Sequence, residues 1–195
     1  MNQMAKALAL VAVACACWAA VPVSVADPLH KFGDEGAWRH EDSGWLFPTQ
    51  IGAFTRVTAP YTIDGNNDVG VQYARVINEN RAAAVVEVYA SDSAAADAKL
   101  ETAKATAART AGTAARLESD QAFRLDARNN LHGVKVTYTS DAGSNRSQTS
   151  LYFIASERWI VKVLAQDAGE NAGQALDAFV YDLPWDTLGV PGNLH

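Results

Sequence analysis

The sequence predicts an α+β domain: an antiparallel sheet of about five to seven strands, with a long alanine-rich helix and a C-terminal helix packed on it. Three observations carry this. Short runs of period-two hydrophobicity are separated by tight turn signals, which makes antiparallel strands. An alanine-rich stretch in mid-chain keeps small apolar residues at spacings of three and four. A second stretch near the C-terminus repeats that spacing with larger side chains, so helices close over the sheet.

In chain order, the fold proper begins at Trp45-Leu46-Phe47-Pro48. Ile51 to Val57 and Tyr61 to Ile63 read as short opening strands. Asp64-Gly-Asn-Asn-Asp68 is dense in residues that tolerate left-handed backbone and marks a turn. Val69 to Ile77 alternates, with Val69, Val71, Tyr73 and Arg75 on one face; after the Asn78-to-Arg81 turn, Ala82 to Ala90 returns as its hairpin partner. Ser91-Asp92-Ser93 offers side-chain acceptors for the first N–H groups of a helix from about Ala94 to Leu117. Its face is Leu100, Ala103, Ala107, Ala111, Ala114 and Leu117, with Gly112 a weak point. Ala122 to Leu125 is a short strand and Val134, Val136 and Tyr138 line one face of the next. Asp141 to Arg146 reads as a loop. Thr149 to Ala155 and Trp159 to Ala165 are two further strands. Ala172 to Leu183 is the last helix, ended by Pro184-Trp185.

The N-terminus reads as a secretory signal peptide, residues 1–26. One charge, Lys6, precedes an apolar run from Ala7 to Val21, and Ser24-Val25-Ala26 supplies small residues before a cleavage point. The run is shorter than the ~20 residues that span a bilayer. Residues 27–44 read as a flexible polar leader, 45–185 as a single domain and 186–195 as a tail. Export places the processed protein in the periplasm or the medium. Lipid attachment at Cys15 or Cys17 is a minority alternative, and both cysteines lie within the signal segment. The processed domain therefore has no disulfide, thiolate ligand or cysteine nucleophile. The net charge is −6, or −7 without Lys6. An acidic domain lacking a Lys/Arg cluster does not carry the footprint of a nucleic-acid binder or a polybasic membrane patch.

Few residues have the spacing that catalysis requires. His30 and His40 sit among Asp34, Glu35, Glu41 and Asp42 in the leader, where a weak metal site competes with a solvated acidic segment. His132 is the one histidine inside the expected fold, and a hydrolase using it would need a neighbouring carboxylate and a serine on a sharp turn. No Gly-x-Ser-x-Gly, phosphate loop or dinucleotide fingerprint occurs, and no cofactor is expected. Asp64, Asn66 and Asp68 imitate the start of a calcium loop, but Val69 and Arg75 occupy the positions of its glycine and glutamate. Asn145-Arg146-Ser147 matches a glycosylation sequon. The large aromatics remain. Trp45, Phe47, Trp159 and Trp185 form either core or an aromatic-lined surface for a ligand or partner.

The entry Trp45-Leu-Phe-Pro48, the hairpin, the long helix, the meander from Val134 to Ala165 and the closing Phe179-Val-Tyr-Asp-Leu-Pro-Trp185 together resemble the PsbP-like fold family. That resemblance implies a non-enzymatic accessory or protein-binding role; with the signal segment and the lack of a catalytic set, the expectation is an exported module that contacts another envelope protein. The alternatives are a small-ligand-binding periplasmic protein, or a small hydrolase using His132.

Overall fold

A computed structural model describes residues 28–33, 36–63, 68–77, 80–91, 93–125, 131–142, 145–156, 158–168 and 172–189. Residues 1–26, with Cys15 and Cys17, lie outside these, as do 64–67 and 78–79 of the turns expected at Asp64 to Asp68 and Asn78 to Arg81; Asp68 opens the strand Asp68–Ile77, and Asn80 and Arg81 pair back onto that strand in the hairpin. Among the described residues the chain forms twelve strands in two antiparallel sheets, with two helices. Strands β1 (Leu29–Phe32), β2 (Ala37–His40) and β3 (Leu46–Phe47) make a small sheet. The large sheet runs β4 (Gln50–Ile51), β5 (Phe54–Arg56), β7 (Asp68–Ile77), β8 (Asn80–Ala90), β12 (Trp159–Ala168), β11 (Asn145–Ala155), β10 (His132–Ala142) and β9 (Arg116–Arg124). Strand β6 (Tyr61–Ile63) also pairs with β7. Helix α1 covers Ser93–Ala111 and α2 covers Ala172–Tyr181, followed by a 3₁₀ turn at Trp185–Thr187.

Each helix takes one face of the large sheet. On α1, Ala96, Leu100, Ala103 and Ala107 form a ridge of mostly small side chains that seats on Val136, Leu151, Phe153, Ile160 and Leu164. On the opposite face, Leu176, Phe179 and Val180 of α2 pack with Val71, Tyr73, Val86, Tyr152, Ile154, Val161 and Val163. Alternation along each strand sends successive residues to these two cores. Strand β12 is therefore apolar on both sides: Ile160 and Leu164 face α1, while Trp159, Val161, Val163 and Ala165 face α2.

This architecture corrects the expected class. The protein is mostly antiparallel β, and not an α+β domain with a long helix on five to seven strands. The helix is shorter than its sequence pattern because Gly112, at φ +93°, takes the chain out of the helix. Its N–H donates to the Arg109 carbonyl at 3.2 Å, an early-closing bond of a helix end. Ala114 and Leu117, assigned to the helix face, fall beyond it, and Leu117 is exposed on β9. Strand β9 has polar residues on both faces and so carries no period-two signal; pairing with β10 at the sheet edge defines it. The loop expected at Asp141 to Arg146 is instead the end of the β10–β11 hairpin, with Asp141 opposite Arg146.

The segment read as a flexible leader also has structure. β1 and β2 pair Leu29 with His40 and His30 with Arg39, so Leu29 and His40 turn inward together. Gly189 N–H donates to the Ser43 carbonyl at 2.7 Å and ties the end of the domain to its beginning. Arg56 donates to the carbonyls of Phe47 and Gly36, both at 2.6 Å, and so joins the small sheet to the large one. Among the described residues, no helix is long and apolar enough to cross a membrane.

Gly133 of β10 lies opposite Ile154, where an added Cβ would stand 2.3 Å from the Phe153 carbonyl oxygen. Backbone cannot yield there without breaking the β10–β11 ladder. Gly133→Ala is expected to cost about 3 kcal/mol, at the upper end for overpacking, read as a lower urea midpoint with unchanged slope.

Candidate functional site

The four aromatics proposed as a binding surface are core residues. Trp45 and Phe47 are wholly buried, and Trp159 and Trp185 nearly so. Trp45 meets Trp185 edge-on at 5.1 Å, and the Trp185 indole N–H donates to the Val180 carbonyl at 2.7 Å. Trp159 stacks edge-on with His40 at 5.5 Å. His40 is itself buried, its Nδ1 2.7 Å from Ser43 Oγ, while His30 lies on the outer side of the β1–β2 pair, 2.7 Å from Glu41. The two leader histidines thus face opposite ways. His132 is exposed at the start of β10, opposite Ala155 and Arg124. Among the described residues no carboxylate or serine hydroxyl is hydrogen-bonded to it.

Two polar networks fasten the helices to the sheet. Near α1, Glu87 accepts from the Tyr89 hydroxyl and pairs with Lys162 through the same oxygen, Oε2. Lys99 and Lys162 lie 5.2 and 5.5 Å from the centre of the Tyr89 ring. Across the strand pair from Glu87 is Gly70, where any Cβ would strike the Tyr61 ring at 2.8 Å, so glycine lets that ring lie on the sheet. Burial, then the Glu87 charge, pushes the Tyr61 phenol up to about 12. The same causes raise Tyr89 further. Near α2, Asp177 accepts from the Tyr152 hydroxyl at 2.6 Å and from Lys135 at 2.5 Å. Burial, then the bond to Asp177, raises Tyr152. Burial also raises Tyr73, against the opposing pull of Arg56.

Among the described residues a small concavity lies where the β4–β5 turn, the end of β7 and α2 meet. It encloses about 100 Å³. Ile51, Phe54 and Phe179 make its floor, with the two rings 4.5 Å apart. Ala175 and Ala178 form the helical wall, because residues at i, i+3, i+4 and i+7 share one face: Ala175, Ala178, Phe179 and Asp182. Arg75 closes one end and Asp182 stands at the rim beside Gly52.

Arg75 is fixed there by its strand. It continues the inward register of Val71 and Tyr73 and crosses the small Ala82 opposite it to pair with Asp167 of β12. Asp167 is almost wholly buried and also accepts from the Ala168 N–H at 2.8 Å. The guanidinium lies 5.2 Å from the Phe54 ring centre. Sequence reading placed Arg75 on the apolar face of its strand without drawing the consequence: a cation in that register needs a buried anion. Asp167 gave the matching signal, two positions beyond Ala165 on the same face of β12.

No protein-family model matches this chain, and no curated protein sequence matches it significantly. Among the described residues, no three histidine, cysteine or acidic side chains gather as a metal-binding group.

Breaking the Arg75–Asp167 pair from one side leaves an uncompensated buried charge. Arg75→Met is expected to cost about 3–5 kcal/mol, and the double variant Arg75→Met with Asp167→Leu to recover most of it, as measured by urea unfolding of all three proteins. The raised tyrosines make a second prediction. Below about pH 10 the phenols are protonated in both folded and unfolded chains. Above it the unfolded chain loses these protons while the folded one holds them, Tyr61 to about 12. The folded state then binds more protons, so stability falls as pH rises through that window. Tyrosinate absorbance should therefore rise together with loss of structure; complete ionisation near pH 10 in a folded protein would contradict the burial described.

Proposed function

We propose that this chain is an exported, non-enzymatic binding module of the bacterial envelope, and that it holds a partner protein at the pocket between the β4–β5 turn and α2. The observation that carries the reading is the size and lining of that pocket. At about 100 Å³ it is well below the ~300–1,000 Å³ of sites that enclose small-molecule ligands and cofactors. It has the scale of one side chain, with accessible alanine walls at Ala53, Ala175 and Ala178 and a charged rim at Asp182. Export rests on the Lys6-to-Ala26 segment.

The test is in-cell crosslinking from a photoreactive residue at Ala53, exposed on the pocket rim, with a matched probe at exposed Glu101 on α1 as control. One dominant envelope protein is expected from Ala53 and not from Glu101. Ala178→Trp, on the exposed side of α2, should fill the pocket and abolish that product while leaving the thermal midpoint within a few degrees. Equal capture from both positions, or a product indifferent to Ala178→Trp, would remove the pocket from the reading.

A further inference from the structure

The charges around the pocket are not balanced, and the imbalance points to what it receives. Arg75 is committed: its guanidinium is paired with Asp167 and stacked on Phe54. Asp182 is not. It is exposed, its Oδ2 lies where a Gly52 Cβ would come within 3.2 Å, and among the described residues it makes no hydrogen bond or ion pair through its side chain. It also stands at an unfavourable place. The Asp182 N–H donates to the Ala178 carbonyl at 3.0 Å, so its carboxylate follows directly on the C-terminal end of α2. That end carries partial negative charge, favours cations and repels carboxylates, and the last turn of α2 contains no basic residue. In the free protein the rim therefore concentrates negative potential above an apolar floor, on a chain whose net charge is −6.

Resting on the docking role proposed above, we infer that the pocket receives a lysine or arginine side chain of the partner. Its aliphatic stem lies along Ala53, Ala175 and Ala178, and its cationic head meets Asp182 and the α2 carbonyl end. Long basic side chains divide in this way, stem on apolar surface and head toward charge or water. An acidic side chain is disfavoured, because reaching Arg75 would mean competing with the buried Asp167.

The test uses amide-resolved NMR titration of the processed protein with three capped amino acids: N-acetyl-lysine amide, N-acetyl-norleucine amide and N-acetyl-glutamate amide. The lysine probe is expected to shift the Gly52, Ala53 and Asp182 amides and to bind about three- to five-fold more tightly than norleucine, the range of a partly exposed ion pair. Asp182→Asn should bring lysine down to the norleucine level. It should also raise the thermal midpoint of the free protein slightly, because it removes a carboxylate from a helix C-terminus. Equal binding of lysine and norleucine by the unaltered protein would overturn the cationic partner while leaving the pocket as an apolar anchor. Preference for glutamate would overturn it through Arg75. If none of the three shifts a pocket amide, the docking reading itself falls.

Discussion

The structure depends on one strand pairing, β8 with β12. These strands are distant in sequence, and they join two pieces that are each local: the β4-to-β8 region and the β9-to-β12 meander. The pairing runs from Trp159 opposite Ala90 to Gln166 opposite Ala83. Along it Val86, Val88, Val161 and Val163 are wholly buried on the α2 side. Closing this seam gives α2 a floor drawn from both pieces, Val71, Tyr73 and Val86 from one and Ile154, Val161 and Val163 from the other, while the buried sheet residues under α1 all belong to the meander. It also brings Asp167 level with Arg75, and Lys162 opposite Glu87. The buried ion pairs follow from the seam and hold its register, since a slip of one residue would send each charge to the wrong face.

Much of the central fold was legible because its periodicity is local. The β7–β8 hairpin, β11, β12 and α2 all lie where alternation or helical spacing put them. Only the end of strand β9 was legible, as the short strand from Ala122; its first part, from Arg116, has two wet faces and no apolar pattern to find. Gly112 was noted as a possible break, but alanines on both sides continued a helical spacing that the chain does not follow. At the N-terminus, polar composition suggested a mobile leader. What orders it lies far away in the sequence: Trp159 against His40, and Gly189 against Ser43.

The site was legible in halves. Arg75 and Asp167 each interrupt an apolar register, and two such charges on neighbouring faces could have been matched. Gly52 and Asp182 carry no local signal, since their proximity comes from a tight turn meeting the end of a helix. Of the two readings open for the tryptophans, burial selects the core: side chains of that size stabilise most when buried, and this core, lined by many valines and alanines, uses them to fill its ends.

The seam between β8 and β12 also governs when the chain can fold. Ala90 cannot meet Trp159 until α1, β9, β10 and β11 have all been synthesised, and closing so long a loop is entropically costly before any contact repays it. Topologies dominated by such distant pairings fold slowly. For a chain still being synthesised that delay keeps the two halves of the large sheet apart until its last strand, Trp159–Ala168, has been added.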